Sequence, residues 1–374
     1  MNVNMPSPAF VLEEKLLEEN LQLLNRVQKD AGVEIILAFK GFAMWSQFKL
    51  VKQYLSGATA SSLNEARLCY EEMGCRSHTY CVAYDEMEFD EIVAMSSYLS
   101  FNSIGQFERF GERVPGDVKV GLRVNPEWSD VEIDLYNPSS PVSRLGVTRE
   151  KMPSVLPKGI TGLHFHVLCE SSAESLSDVL DQLELRFSEY LKEVEWVNMG
   201  GGHLMTRDGY DLDLLIARLK DFKEKYDVQV ILEPGGAVAW QTGYLKTTVL
   251  DLVENGGLKT AIIDASFTCH MPDCLEMPYR PIIRDAHENP EGKPFRYRIG
   301  GVSCLAGDFL EEYGFDQDLK VGDQLIFEDM IHYTMVKTST FNGVKHPTIC
   351  VTRTDGQFDV LRQFGYEDFK NRLS

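Results

Sequence analysis

The sequence predicts an α/β protein, a (β/α)8, TIM-like barrel followed by an antiparallel β-domain, and three observations carry that expectation. At 374 residues with 44% hydrophobic content, the chain exceeds the commonest single-domain size and can bury a sizeable core. From about residue 10 to about 245, short apolar runs alternate with polar, helix-patterned stretches, the signature of repeated βα units. Beyond Trp240 the texture changes to β-branched and aromatic segments separated by Gly, Pro and Asp turns. The expected bounds are 10–245 for the barrel and 246–374 for the β-domain, with residues 1–9 joining the latter.

Taken in order, VLEEKLLEENLQLLNRVQKD reads as a helix with Leu16, Leu17, Leu21 and Leu24 on one face. The strand candidates are Glu34–Phe39, Ser56–Ala60, His78–Val82, Tyr98–Phe101, Val118–Val124, Gly162–Val167, Trp196–Met199 and Val228–Leu232, eight in all and enough to close a barrel. SLSDVLDQLELRFSEYLKEV repeats the amphipathic helix pattern. The later strands are read in TGYLKTTVLDLVE, LKTAIIDAS, RYRIGGVS, DQLIFEDMIHYTMVKTSTFNG and ICVTRTDGQFDVLR. No linker, repeat or low-complexity tract divides the regions.

The formal net charge of −20 argues against nucleic acid or an anionic membrane surface as partner and suits a cationic substrate. Eight cysteines, at 69, 75, 81, 169, 269, 274, 304 and 350, form no CxxC pair and no small-domain disulfide spacing, as expected of reduced thiols in a cytoplasm. MNVNMPSPAF lacks the basic and apolar segments of a signal peptide, and no apolar run approaches membrane-spanning length. A soluble cytoplasmic protein is expected.

Several stretches have the residue types that chemistry needs. In ILAFKGFAMW one charge, Lys40, sits where a buried strand ends, and the carboxyl ends of parallel strands are where active sites gather. A packed lysine whose ammonium snorkels to water is the competing reading. EWVNMGGGHL sets Gly200, Gly201 and Gly202 directly after a strand. Glycines there let the backbone approach a ligand and cradle an anion, commonly phosphate, although the spacing is neither a Walker nor a dinucleotide fingerprint. GLHFHVLCE offers His164 and His166, open between a zinc pair and buried barrel histidines. Their order, downstream of the lysine, argues against the zinc hydrolases in which HxH opens the barrel. ILEPGGAVAW places Glu233 at a strand end, and GGVSCLAGDFL holds Cys304 and Asp308 in a glycine-rich loop. Cys269, His270 and Cys274 lack a second ligand pair at a metal-site spacing, so no metal is expected.

This order of strand-end lysine, histidine strand, glycine cup and strand-end Glu-Pro-Gly resembles the pyridoxal-phosphate decarboxylases of the alanine-racemase fold (fold type III), which include ornithine, diaminopimelate and arginine decarboxylases. FEDMIHYTMVKTSTFNG resembles the DM-x-x-YT…STFNG segment of eukaryotic ornithine decarboxylases. LAFKGFA, HFHVLCE, GGGHLMTRDGYD, DASFTCHMPDCLEMPYRP and GGVSCLAGD resemble the branch that decarboxylates carboxynorspermidine or carboxyspermidine on an alternative bacterial route to norspermidine and spermidine.

The resemblance implies pyridoxal 5′-phosphate held as a Schiff base by Lys40, whose amine is freed by desolvation. His166 is implied to stack on the ring, Gly200, Gly201 and Gly202 to donate N–H groups to the phosphate, Tyr333 to add its hydroxyl, and Arg123 to lie nearby. Glu233 is implied to face the ring nitrogen and keep it protonated, which favours decarboxylation over racemisation, since racemases of this fold place arginine there. Cys304 is implied to protonate the α-carbon. A homodimer is implied, each β-domain lending Cys304 and Asp308 to a shared site. Asp273, Glu276 and Asp308 are the carboxylates expected to meet the distal amines of a small cationic carboxylated polyamine. One position departs from the family: the residue after Glu-Pro-Gly, charged elsewhere, is Gly236. Two other readings stay open, a catalytically silent homologue that binds or regulates and a decarboxylase of another basic amino acid such as diaminopimelate.

Overall fold

The computed structural model describes residues 5–131, 137–277 and 279–374. The chain divides into two compact units, Glu18–Val238 and a second that joins the segment through Leu17 to Ala239–Ser374. The transitions fall after Leu17 and Val238, where the change in sequence texture suggests residues 9 and 245.

The first unit is a closed barrel. Its strands are β1 (Glu34–Ala38), β2 (Gly57–Ala60), β3 (Ser77–Tyr80), β4 (Ser96–Phe101), β5 (Lys119–Asn125), β6 (Gly162–His164), β7 (Trp196–Asn198) and β8 (Gln229–Leu232). Each pairs in parallel with the next, and β8 returns to β1 through Ile231 opposite Glu34 and Leu232 opposite Ile35. All eight runs read as strands are strands. Ile35, Ile36, Leu37 and Ala38 of β1 are all buried, because in a parallel barrel both strand faces are covered and an unbroken apolar run is stable only there. Since all strands run the same way, their carboxyl ends meet at one end of the barrel. Lys40, His166 and Gly200 each follow a strand by two residues, and Glu233 follows β8 by one.

The helices follow their apolar stripes. Ser172 caps helix Ala173–Leu191 by accepting from the Ser175 N–H, and Leu176, Val179, Leu180, Leu183 and Phe187 are buried. In helix Glu14–Ala31 the buried stripe is Leu17, Leu21, Leu24 and Val27. Leu16, expected on that face, is 40% exposed. One residue before Leu17, it is turned about 100° away.

In the second unit a nine-stranded sheet runs Ala286–His287, Phe309–Phe315, Phe295–Gly300, Leu258–Ile263, Gly243–Asn255, Ala9–Glu13, Thr348–Thr352, Phe358–Arg362, with Gln324–Glu328 also paired to Gly243–Asn255. Most pairings are antiparallel. Two are parallel, Ala9–Glu13 with Thr348–Thr352 and Leu258–Ile263 with Phe295–Gly300, so the sheet is mixed. Strand Phe309–Phe315 had no counterpart in the sequence reading, because its polar pair Glu311 and Glu312 interrupts the apolar run. Among the described residues no helix is long and apolar enough to cross a membrane.

Candidate active site

Lys40 reaches the pocket because the chain turns tightly after β1. The Ala38 N–H donates to the Pro234 carbonyl at 3.1 Å, and Gly41 passes so close to Gly235 that a Cβ on Gly41 would lie 2.7 Å from the Gly235 Cα. The lysine turn and the Glu233-Pro234-Gly235 turn are therefore packed backbone against backbone, which requires glycine on both sides.

Lys40 Nζ lies 3.0 Å from His166 Nε2, and His166 Nδ1 accepts from the Gly201 N–H at 2.8 Å. A backbone N–H can only donate, so Nδ1 of the neutral ring has no proton and Nε2 has it. Nε2–H must then donate to Lys40, which makes Lys40 a free amine. The electrostatics agree. Lys40 is exposed to the pocket, yet protein surrounds it closely, and this desolvation, with the charge of Arg123, holds its pKa below the usual lysine value. Burial, with Lys40 and Arg123 nearby, holds His166 well below the usual histidine value.

Arg123, in β5, is 4% exposed, donates from Nη2 to the His166 carbonyl at 3.0 Å and lies 4.6 Å from the centre of the Tyr80 ring. Glu233 is buried, and burial raises its pKa against the hydrogen bonds from Asn198 and Thr59 and the charge of Arg123. Asn198, at the end of β7, donates to Glu233 Oε1 at 2.6 Å and accepts the Gly200 N–H at 2.8 Å. The sequence reading had not singled out Asn198. The available signal was an amide ending an apolar strand two residues before three glycines.

Two expectations about the glycines change. The Gly200 and Gly201 N–H groups are bonded to Asn198 and His166, so they shape the loop where phosphate donation had been expected. Their lack of side chains is still essential. A Cβ at Gly200, Gly201 or Gly202 would come within 2.6, 2.3 or 2.1 Å of the backbone oxygens of Phe165, Glu233 and Leu168, and Gly200 and Gly202 hold φ of +68° and +90°. The HxH pair also separates: His164 Nε2 faces Glu233 Oε2 at 3.8 Å, while His166 faces Lys40. Among the described residues no three His, Cys, Asp or Glu side chains come together as a metal site.

Lys40, Thr59, Tyr80, Arg123, His166 and Glu233 thus line one pocket of about 310 Å3 in the barrel unit. The remaining candidates lie in the sheet unit, where hydrogen bonds tie three loops together. Thr268 N–H donates to Asp308 Oδ1 at 3.1 Å, Ser303 N–H to Asp308 Oδ2 at 3.1 Å, Cys304 N–H to Asn342 Oδ1 at 2.8 Å, and Ser339 N–H to the Cys269 carbonyl at 2.7 Å. Asp308, expected to bind substrate, is 4% exposed, and each of its oxygens accepts one N–H from its own loops. Asp273 is ion-paired with Lys337. Cys304 and Glu276 are exposed. Tyr333 is held at a φ of +50°, uncommon for a bulky residue.

Residues 35–331 match the family profile described as pyridoxal-dependent decarboxylase, C-terminal sheet domain. The chain belongs to this decarboxylase family. It is 52% identical, over 99% of its length and 96% of the relative's, to the carboxyaminopropylagmatine decarboxylase of Synechocystis sp.. It is 42% identical, over 98% of each chain, to the carboxynorspermidine/carboxyspermidine decarboxylase of Campylobacter jejuni. The crystal structure of the Campylobacter jejuni carboxynorspermidine decarboxylase complexed with norspermidine superposes with a TM-score of 0.92 at 40% identity, covering 98% of this chain and 100% of that one.

The residues present fit the family's cofactor, pyridoxal phosphate. A free amine, a buried carboxylate and the Arg123 guanidinium line one pocket, and the glycine loop that bonds His166 and Asn198 packs against its wall. Both ring nitrogens of buried His164 have no hydrogen-bond partner, so the pocket wall retains polar capacity.

Proposed function

We propose that this protein decarboxylates a carboxyaminopropyl-substituted polyamine, with carboxynorspermidine and carboxyspermidine as the substrates first expected. The observation that carries the reading is the Gly201–His166–Lys40 hydrogen-bond chain, which presents a neutral amine across the pocket from a buried carboxylate. The relatives' reactions support the substrate class. A second reading, the guanidino analogue carboxyaminopropylagmatine, is favoured by the 52% identical relative.

Bound pyridoxal phosphate supplies an electron sink for the pair left when carbon dioxide departs. Lys40 offers the amine that bonds the cofactor's aldehyde, and His166 keeps that amine unprotonated. Glu233 would face the ring nitrogen as an anion, His166 would pack on the ring, and Gly202 and Tyr333 would hold the phosphate, with Arg123 nearby. Cys304 delivers the proton to the carbon that has lost its carboxylate. Asp273 and Glu276 receive the distal cations, Asp273 by exchanging Lys337 for a substrate amine.

The working form is a cytoplasmic homodimer, each sheet unit lending Cys304 to its partner's site. Light scattering tests the dimer, and a monomer that turns over at the same rate removes it. The reaction is tested by carbon dioxide release from carboxynorspermidine, carboxyspermidine, carboxyaminopropylagmatine and diaminopimelate. Release from any of the first three, with diaminopimelate inert, is expected. Release from diaminopimelate alone, or from none, overturns the reading.

A further inference from the structure

We propose that Asn198 is a positioning residue: its amide fixes Glu233 as an anion and ties it to the glycine loop, so that one side chain sets two sides of the cofactor site. This rests on the pyridoxal-phosphate reading above.

The argument begins with which way the amide points. The Gly200 N–H lies 2.8 Å from Asn198 Oδ1. A backbone N–H cannot accept, so the atom facing it must be the oxygen, and the amide cannot be flipped. The atom 2.6 Å from Glu233 Oε1 is therefore the NH2 donor. A donor at that place stabilises the carboxylate more than the carboxylic acid, without adding a charge that would compete with a cation in the pocket. The backbone repeats the connection, since the Glu233 N–H donates to the Gly200 carbonyl at 2.8 Å. Asn198 is 3% exposed, so neither bond is shared with solvent. Lys40, Arg123 and His164 are the other charged or titratable groups facing Glu233, with the Thr59 hydroxyl bonded to it.

The test uses Asn198→Asp. Aspartate still accepts the Gly200 N–H, so the loop keeps its bond, but its second oxygen meets the Glu233 carboxylate. Two carboxylates so close share one proton, and they titrate as a pair. With that proton in place the variant reproduces the wild-type donor; without it Glu233 is repelled from its position. The measurement is the Kd for pyridoxal phosphate, from absorbance, across pH in wild type and variant. The other facing groups are common to both proteins and cancel in the ratio. The ratio of variant to wild-type Kd is expected to rise about tenfold per pH unit above the pair's apparent pKa, as the loss of a single proton requires.

The double variant N198D/E233Q has one carboxylate, and its Kd ratio to E233Q should be flat with pH. A flat ratio for N198D, or the same rise persisting in N198D/E233Q, overturns the proposal. Because the readout is cofactor binding, it remains decisive if the wild type binds pyridoxal phosphate yet decarboxylates none of the polyamine substrates. That outcome would sink the functional reading alone.

Discussion

In the barrel unit the polar side chains at strand ends bond to one another around a cavity. In the sheet unit the side chains near Cys304, those of Asp308 and Asn342, bond to loop backbone. Gly201, His166 and Lys40 form one chain and Asn198 and Glu233 another, both ending at the pocket. Asp308 instead receives two loop N–H groups, and the Cys304 N–H is tied to Asn342. The difference separates two uses of a buried polar group. One is held in an uncomfortable protonation state facing a cavity and is available for chemistry. The other accepts loop N–H groups on both oxygens, which shapes the loop that carries the exposed Cys304.

The largest effect expected from this contrast is at Lys40. Lys40→Ala should lower decarboxylation by about 10^3-fold or more, the scale for losing a covalent and proton-transfer group. It should also leave no borohydride-fixed cofactor adduct, which peptide mapping reads directly. The thermal midpoint should not fall, because the substitution removes an amine that burial already disfavours in its charged form. Undiminished turnover would remove Lys40 from the mechanism, and a large drop in midpoint would place it among the loop-shaping groups instead.

The barrel was legible in the sequence because two-sided burial writes several of its parallel strands as short apolar runs, as in residues 35–38 and 230–232. Lys40 and Glu233 were legible because a lone charge at the end of such a run has few structural reasons to be there. A free Lys40 amine was already implied by the resemblance, but the hydrogen-bond chain that fixes it was not legible. It depends on a backbone N–H, that of Gly201, arriving from a strand more than 150 positions away, and no local pattern encodes that meeting. Asn198 was hidden for the same reason. In the sheet unit Asp308 read as a site residue because a loop carboxylate beside glycines looks alike whether it faces a ligand or its own backbone. Leu16 was misplaced because two adjacent leucines cannot both lie at the centre of one helical stripe.

Acid should separate the units next. Burial holds His78 down at about 3, His203 at about 4, and His164 and His166 well below the ordinary 6.5. The sheet unit has His270, held at about 4, and His346, also lowered. A histidine whose folded pKa is depressed binds its proton in the unfolded chain first, so stability is lost as pH falls below about 6.5. Each buried histidine contributes about 1.4 kcal/mol per pH unit in that window. With four such histidines, against His270 and a half-buried His346 in the sheet unit, the barrel is the more acid-sensitive of the two. Glu34, Glu65 and Glu233, raised by burial, act in the opposite direction at lower pH, so the range from about 6.5 to 5 is the informative one. Hydrogen exchange at pH 7 and pH 5 should show barrel peptides losing protection before sheet peptides. Equal loss in both units would mean that the barrel histidines gain protons without unfolding.

Asp308 gives the smallest effect and the sharpest test of the distinction. Its two oxygens each accept one N–H, from Thr268 and Ser303, and Gly301 packs so close that a Cβ there would lie 2.4 Å from the carboxylate. Asp308→Asn keeps the shape but must turn an NH2 toward one of those donors, leaving two buried donors facing each other. The expected cost is about 2 kcal/mol, seen as a fall in thermal midpoint of about 5 °C, with KM for the polyamine nearly unchanged. If Asp308 instead meets a substrate amine, the same substitution raises KM and leaves the midpoint where it was. One variant measured both ways therefore decides whether this carboxylate belongs with Glu233, facing a ligand, or with the residues that build the loop under Cys304.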